Sequence, residues 1–246
     1  MSRGMWSSLI LAVVACSALS ACGGGDGEVD PIEIASSSAG TGSPISLDIR
    51  LDDSGAFEFD QWPSACDLVS KETIKAIFPQ TEGVQQDGTD SQIRVLSLGL
   101  ASSPDNGPKT IHDSSCATRV GFTQEGLGLA DDVTVVVVNS QILAAGNPKF
   151  VKRNFHESAA SKDVKIGETT CGLADSNRTY ECNVGRVAFK LTVDMRQYAQ
   201  YIRGLGSDYL IDGKTVTFRG TDPDFDAVVT DKVLTPLASA AVSRLG

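Results

Sequence analysis

The sequence predicts a single α+β domain, an antiparallel sheet with helices packed on one face and two disulfides tying it together. Three observations predict it. Apolar residues alternate with polar ones in short runs between residues 93 and 194, the period-2 pattern of half-buried strands. Helical stretches with start and stop signals stand before, between and after those runs. Four cysteines are spread through the same region, an even number that suits two bridges.

Before the domain comes a leader. Arg3 supplies a positive start, residues 5–19 are largely apolar and uncharged, and Ser20 and Ala21 are small. This is the build of a secretory signal. The run is too short and too rich in Ala and Ser to span a bilayer, which takes about 20 apolar residues. Leu19-Ser20-Ala21-Cys22 resembles the lipobox of bacterial lipoproteins. The resemblance implies that Cys22 takes a diacylglycerol and becomes the first residue after cleavage, residues 1–21 being the signal peptide. Two acyl chains make a stable membrane anchor where one is marginal. The alternative is ordinary secretion with a coincidental cysteine.

Residues 22–60 then read as the lipidated cysteine and a flexible acidic tether. Residues 23–44 are Gly, Ser, Ala and acid, a composition that stays unfolded and would reach roughly 25 Å as a coil. Within the tether, Ile45, Leu47, Ile49 and Leu51 alternate with polar residues, as an edge strand or a second docking segment would. The formal charge of −10 is concentrated here, with nine acidic residues against one arginine over residues 23–60. Residues 61–246, the expected domain, carry 22 acidic and 19 basic residues. They show no basic stripe, which argues against a nucleic-acid partner.

The domain's elements follow in order. Ser70 is placed to cap a helix that turns Ile74, Ile77 and Phe78 inward and stops at Pro79. Strands are expected at residues 93–100, 116–122 and 133–139. Asn147-Pro148 is an N-cap followed by proline at the first helical position, opening a helix that buries Phe150, Val151 and Phe155. Further strands are expected at residues 164–173, 179–184 and 187–194, the last two joined by a tight turn at Gly185-Arg186. Pro223 opens a C-terminal helix that Pro236 interrupts or restarts before Leu245.

Cys66, Cys116, Cys171 and Cys182 allow three pairings. A turn at Asp175-Ser176-Asn177 would set Cys171 opposite Cys182 in a hairpin and leave Cys66 to pair with Cys116. A zinc site is disfavoured, because the four are not in CxxC pairs.

The stretch Ala65-Cys66-Asp67-Leu68-Val69-Ser70 resembles the cysteine-plus-helix opening of an actinobacterial lipoprotein family, the one labelled domain of unknown function 3558. So do Ser115-Cys116, the Ile166-Gly167 lead-in to a strand, and Gly185-Arg186-Val187-Ala188-Phe189. The resemblance covers about residues 60–245 and implies the same plan of lipobox, low-complexity tether and one small α+β domain. It implies no chemistry and no catalytic residues. The Cys171–Cys182 pair is not predicted by the family's opening motif.

Few residues point to a reaction. His112 lies in Ile111-His112-Asp113-Ser114-Ser115, rich in triad residue types but without the strained G-x-S-x-G elbow of a serine nucleophile. It reads as a polar loop before a disulfide cysteine. His156-Glu157, near a helix end, lacks the second histidine of a zincin. Asp222, Asp224 and Asp226 alternate like the start of a calcium loop, but Ala227 and Val233 stand where that loop needs Gly and Glu. They read as acids at a helix N-terminus. Arg196, Tyr198, Tyr201, Arg203 and Tyr209, interspersed with three glycines over residues 196–213, form a candidate ligand-binding segment. The plainer reading is a short helix whose tyrosines cover the sheet.

The expectation is therefore a membrane-held, extracytoplasmic binding or interaction module, not an enzyme, with no cofactor and no metal. Its ligand would be an envelope protein, a glycan or a small apolar molecule, the last in a pocket between sheet and helices. The alternatives are an envelope hydrolase built from scattered residues, and a sensor or accessory subunit of a membrane machine. A cleft with Ser or Asp in hydrogen-bond reach of a histidine would favour the hydrolase.

Overall fold

The computed structural model describes residues 31–35, 42–94, 108–122, 133–156, 162–174, 178–195, 207–218 and 223–246. Its main sheet has seven strands: β2 (Thr81–Arg94), β3 (Pro108–Phe122), β4 (Val133–Ala145), β5 (Lys162–Ile166), β6 (Thr169–Leu173), β7 (Thr179–Asn183) and β8 (Val187–Met195). They lie in the order β2-β3-β4-β8-β7-β6-β5, every neighbouring pair antiparallel. The architecture is α+β, with a largely antiparallel sheet and two disulfides.

The core forms on one face. Val136, Val138 and Ile142 of β4, and Val187, Phe189, Leu191, Val193 and Met195 of β8, bury against α1 (Lys71–Ile77) and the C-terminal helix. Alternation makes β8 legible, because every second residue from 187 to 195 points inward. Ser70 caps α1 by accepting the N–H of Thr73, and Phe78 closes its end. Asn147 caps α2 (Pro148–Asn154) by accepting the N–H of Phe150. α2 lies across the opposite face, where Phe150, Val151 and Phe155 meet Ala56, Ala144 and Ala188. Alanine on both strands gives a helix room to come that close.

The C-terminal helix is continuous but uneven. It runs as α3 (Pro223–Val229), a π-turn at Thr230–Leu234 and α4 (Thr235–Leu245). The π-turn precedes Pro236, which has no N–H and whose ring clashes with a normally placed carbonyl four residues back. Widening the turn removes the clash, and Thr235 N–H bonds the Thr230 carbonyl five residues earlier. Thr235 also meets the buried Tyr180 hydroxyl at 3.1 Å.

Both disulfides of the expected pairing are present. Cys171 and Cys182 face each other across β6 and β7, with Cα atoms 4.3 Å apart. Cys66–Cys116 ties a 3₁₀ turn (Ala65–Leu68) to β3. That turn lays its carbonyls on the sheet, and the sheet answers with donors. Ser140 Oγ, on β4, bonds the Ala65 carbonyl at 2.7 Å, and Gln86 Nε2, on β2, bonds those of Cys66 and Val69.

Several elements differ from the sequence reading. The first strand starts at Thr81 and not at residue 93, because β2 is an edge strand with little apolar signal, and residues 95–100 lie outside the described part. The polar stretch around His112 is strand, since β3 begins at Pro108. Residues 164–173 form two strands, β5 and β6, with Gly167-Glu168 turning between them. Residues 207–218 form a hairpin, β9 (Ser207–Ile211) and β10 (Lys214–Phe218), around Asp212-Gly213. Both turn residues have positive φ, 52° and 74°, as a type I′ turn requires.

The tether expected over residues 22–60 is also cut back. Ile32–Ile34 is a strand, β1, paired in parallel with β9, so β1-β9-β10 make a second, small sheet. Ile32 and Ile34 are buried, and their apolar side chains give the segment something to fold onto. Ile45, Leu47 and Ile49 pack against the core without joining a ladder, while Leu51 is exposed and forms only an isolated bridge to Phe57. Arg186 holds this stretch, donating to the Leu47 carbonyl and lying over the Phe57 ring.

Candidate functional site

The face of the main sheet turned away from the large core carries a shallow depression of about 220 Å³. Its walls come from four adjacent strands. Register sets them side by side: Thr89 opposite Ser115, Ser115 opposite Gln141, Gln141 opposite Lys190, and Asn139 opposite Thr192. These side chains bring hydroxyls, two amides and one ammonium, while Cys116, Ala117 and Ser140 complete the lining, whose surface is carbon more than nitrogen and oxygen. Lys190 Nζ lies 3.8 Å from the Glu181 carboxylate, and Arg119 pairs with Asp87 on the outer strands. The volume falls below the roughly 300 Å³ of a pocket that engulfs a small molecule. The lining suits a polar group presented by something larger. The sheet–helix interface holds fully buried Phe57, Phe78, Phe189 and Phe225.

His112 has an acidic partner, but not in a cleft. Its Nδ1 is 3.1 Å from Asp90 Oδ2, with the side chains 65% and 52% exposed. Asp90 has a structural task. Ser91 pairs with Ile111 and Thr89 with Ser115, so β3 bulges between them and Asp113 takes a positive φ of 45°. The Asp113 N–H reaches Asp90 Oδ1 at 3.0 Å and is the larger cause holding this carboxyl below the usual aspartate range, His112 the smaller. Asp90 thus braces the bulge. His112 bonds no serine hydroxyl among the described residues. His156 is exposed just beyond α2.

Tyr209, expected to contact ligand, is instead core: it sits in the middle strand of the small sheet, fully buried, its ring 5.2 Å from that of Phe225. Strand alternation turns it inward, which its place in a Tyr/Arg-rich segment disguised. Arg196, Tyr198, Tyr201 and Arg203 lie outside the described residues, as do residues 1–21 expected as a signal peptide, Cys22, and Asp175-Ser176-Asn177, where a turn is expected. Asp226 is used by Arg178, whose Nε donates to it at 2.8 Å while the guanidinium lies over Phe225. Among the described residues no group of three metal-ligating side chains comes together.

The depression escaped the sequence reading because its residues come from four strands and look individually like an ordinary solvent face. Comparisons with family models, with curated proteins and with solved structures find no match for this chain.

Proposed function

We propose that this chain is an exported, lipid-anchored protein of the cell envelope that acts as a non-enzymatic binding module on the extracytoplasmic face of the membrane. The observation that carries the binding role is the convergence of Thr89, Ser115, Asn139, Gln141, Lys190 and Thr192 on one open face. Hydroxyls and amides in register recognise polar groups, and no activated nucleophile stands among them. The lipobox at Cys22 and the likeness in plan to the actinobacterial lipoprotein family support the address. The shallow, open shape and its hydrogen-bonding side chains favour an envelope protein or glycan as partner over a small apolar molecule.

Two experiments test this reading. Replacing Cys22 with Ser should abolish the lipid mass increment and release the protein from membranes; unchanged mass and retention refute the anchor. A photocrosslinking residue at position 141 should give discrete adducts in the native envelope, where one at the exposed Lys149 on α2 gives none. Equal yields at the two positions, or none at 141, refute the face.

A further inference from the structure

The tether is shorter than its composition suggests, because part of it is folded. β1 is held on both sides. Ile32 and Ile34 are 5% and 0% exposed, in register with Tyr209 and Ile211 of β9. Gln80 clamps the strand's start: its Oε1 accepts the Glu33 N–H at 2.7 Å, and its Nε2 donates to the Pro31 carbonyl at 3.2 Å. The Ala35 N–H then reaches the Ile77 carbonyl at the end of α1, at 2.9 Å. Three residues of strand thus have ladder bonds, a side-chain clamp and two buried isoleucines.

We infer that residues 31–35 are a docking strap that fixes how far, and by which end, the domain stands from its membrane. The inference rests on the lipid-anchor reading of Cys22. Only residues 23–30 then separate the anchor from the strap. At about 3.4 Å per residue they cannot exceed about 30 Å, and as a coil they reach roughly 17 Å. Gln80 immediately precedes β2, whose first residue pairs with the last of β3. The anchor therefore pulls on that end of the sheet. Thr89 lies eight residues further along β2, roughly 25 Å away at strand rise. The open polar face thus works within about 55 Å of the bilayer, the sum of full leash and strand. Its partner is held by the same membrane or lies directly against it.

Two insertions in the full lipidated protein test the strap without disturbing its contacts. Ten Gly/Ser residues are placed between Asp30 and Pro31 in one variant, and between Ser38 and Ala39 in the other. Neutron reflectometry on a supported bilayer reads the height of the domain. The first insertion lengthens the working leash and should move the domain outward by about 8 Å. The second lies beyond the strap and should leave it in place. Equal shifts for the two, or no shift for the first, overturn the proposal. Intact mass is taken beforehand: a Cys22 without diacylglycerol means that the anchor reading has failed. The strap is then judged alone by amide exchange at residues 33–35, where unprotected rates overturn it.

Discussion

Ser140 is a polar residue in a strand face otherwise made of Val136, Val138 and Ile142, and its replacement by Ala tests how the 3₁₀ turn is docked. The side chain is 2% exposed and lies between Cys116 and Leu191 on the neighbouring strands. Its hydroxyl donates to the Ala65 carbonyl at 2.7 Å. Ala at 140 removes one oxygen, so the void is smaller than a methyl group and contributes little. What is lost is the partner of a buried carbonyl, which costs about 1–3 kcal/mol. We predict a loss of about 2 kcal/mol, or about 4–8 °C in Tm for a domain of this size. Urea unfolding with the disulfides intact measures it. Trp62 is a convenient probe: it is buried at the start of the docked segment, and the other tryptophan, Trp6, lies outside the described residues. Gln86→Ala should cost less, about 1 kcal/mol, because that side chain is half-buried and water can replace it. A Ser140→Ala protein within 0.5 kcal/mol of the parent would refute the reasoning, since the Ala65 carbonyl would then have another partner.

Three further outcomes are expected. Peptide mapping without reduction should recover Cys66 linked to Cys116 and Cys171 linked to Cys182, and any crossed link contradicts the pairing; on the chain-entropy model, losing them costs about 4 and about 3 kcal/mol respectively. Asp90 should titrate below the ordinary aspartate value of 3.8 by NMR. A carboxyl depressed by folding contributes stability that is present above its unfolded pKa and lost as pH falls through the lower folded one. The Asp113 amide should therefore lose protection only below about pH 4, and Asp90→Asn should remove that dependence; protection independent of pH in the parent would contradict the brace. Gly213→Ala should cost about 1–2 kcal/mol from backbone strain alone, because φ is +74° and a Cβ there meets no atom within 4 Å. An unchanged midpoint in thermal melting would mean that the β9–β10 turn is not type I′.

Local signals carried much of the fold. The caps at Ser70 and Asn147 are read by the very next turn of chain, and both work as their sequence implies. β8 is legible because its alternation separates a buried face from an open one. β2 is not, because an edge strand of Thr, Glu, Gln, Asp and Ser buries too little to show a period. Asp212-Gly213 is a local hairpin-turn signal, but the tyrosines and arginines before it suit a loop or helix as well as a strand. β1 was hidden by length: two isoleucines in an acidic, serine-rich stretch mean little until β9 is found beside them. The candidate face could not be read at all, since nothing local to Thr89, Ser115, Gln141 or Lys190 says that they are neighbours.

The two ends of the described chain are fastened to each other, and this orders events in time. Arg244, two positions before Gly246, donates to the Ser43 carbonyl 201 residues earlier, and β1 waits for β9. Residues 32–34 have nothing to pair with until residues 209–211 are present, when nearly all of the chain has been made. Contacts this distant in sequence form late. The N-terminal strand is thus made before nearly all of the fold and is among the last pieces to close.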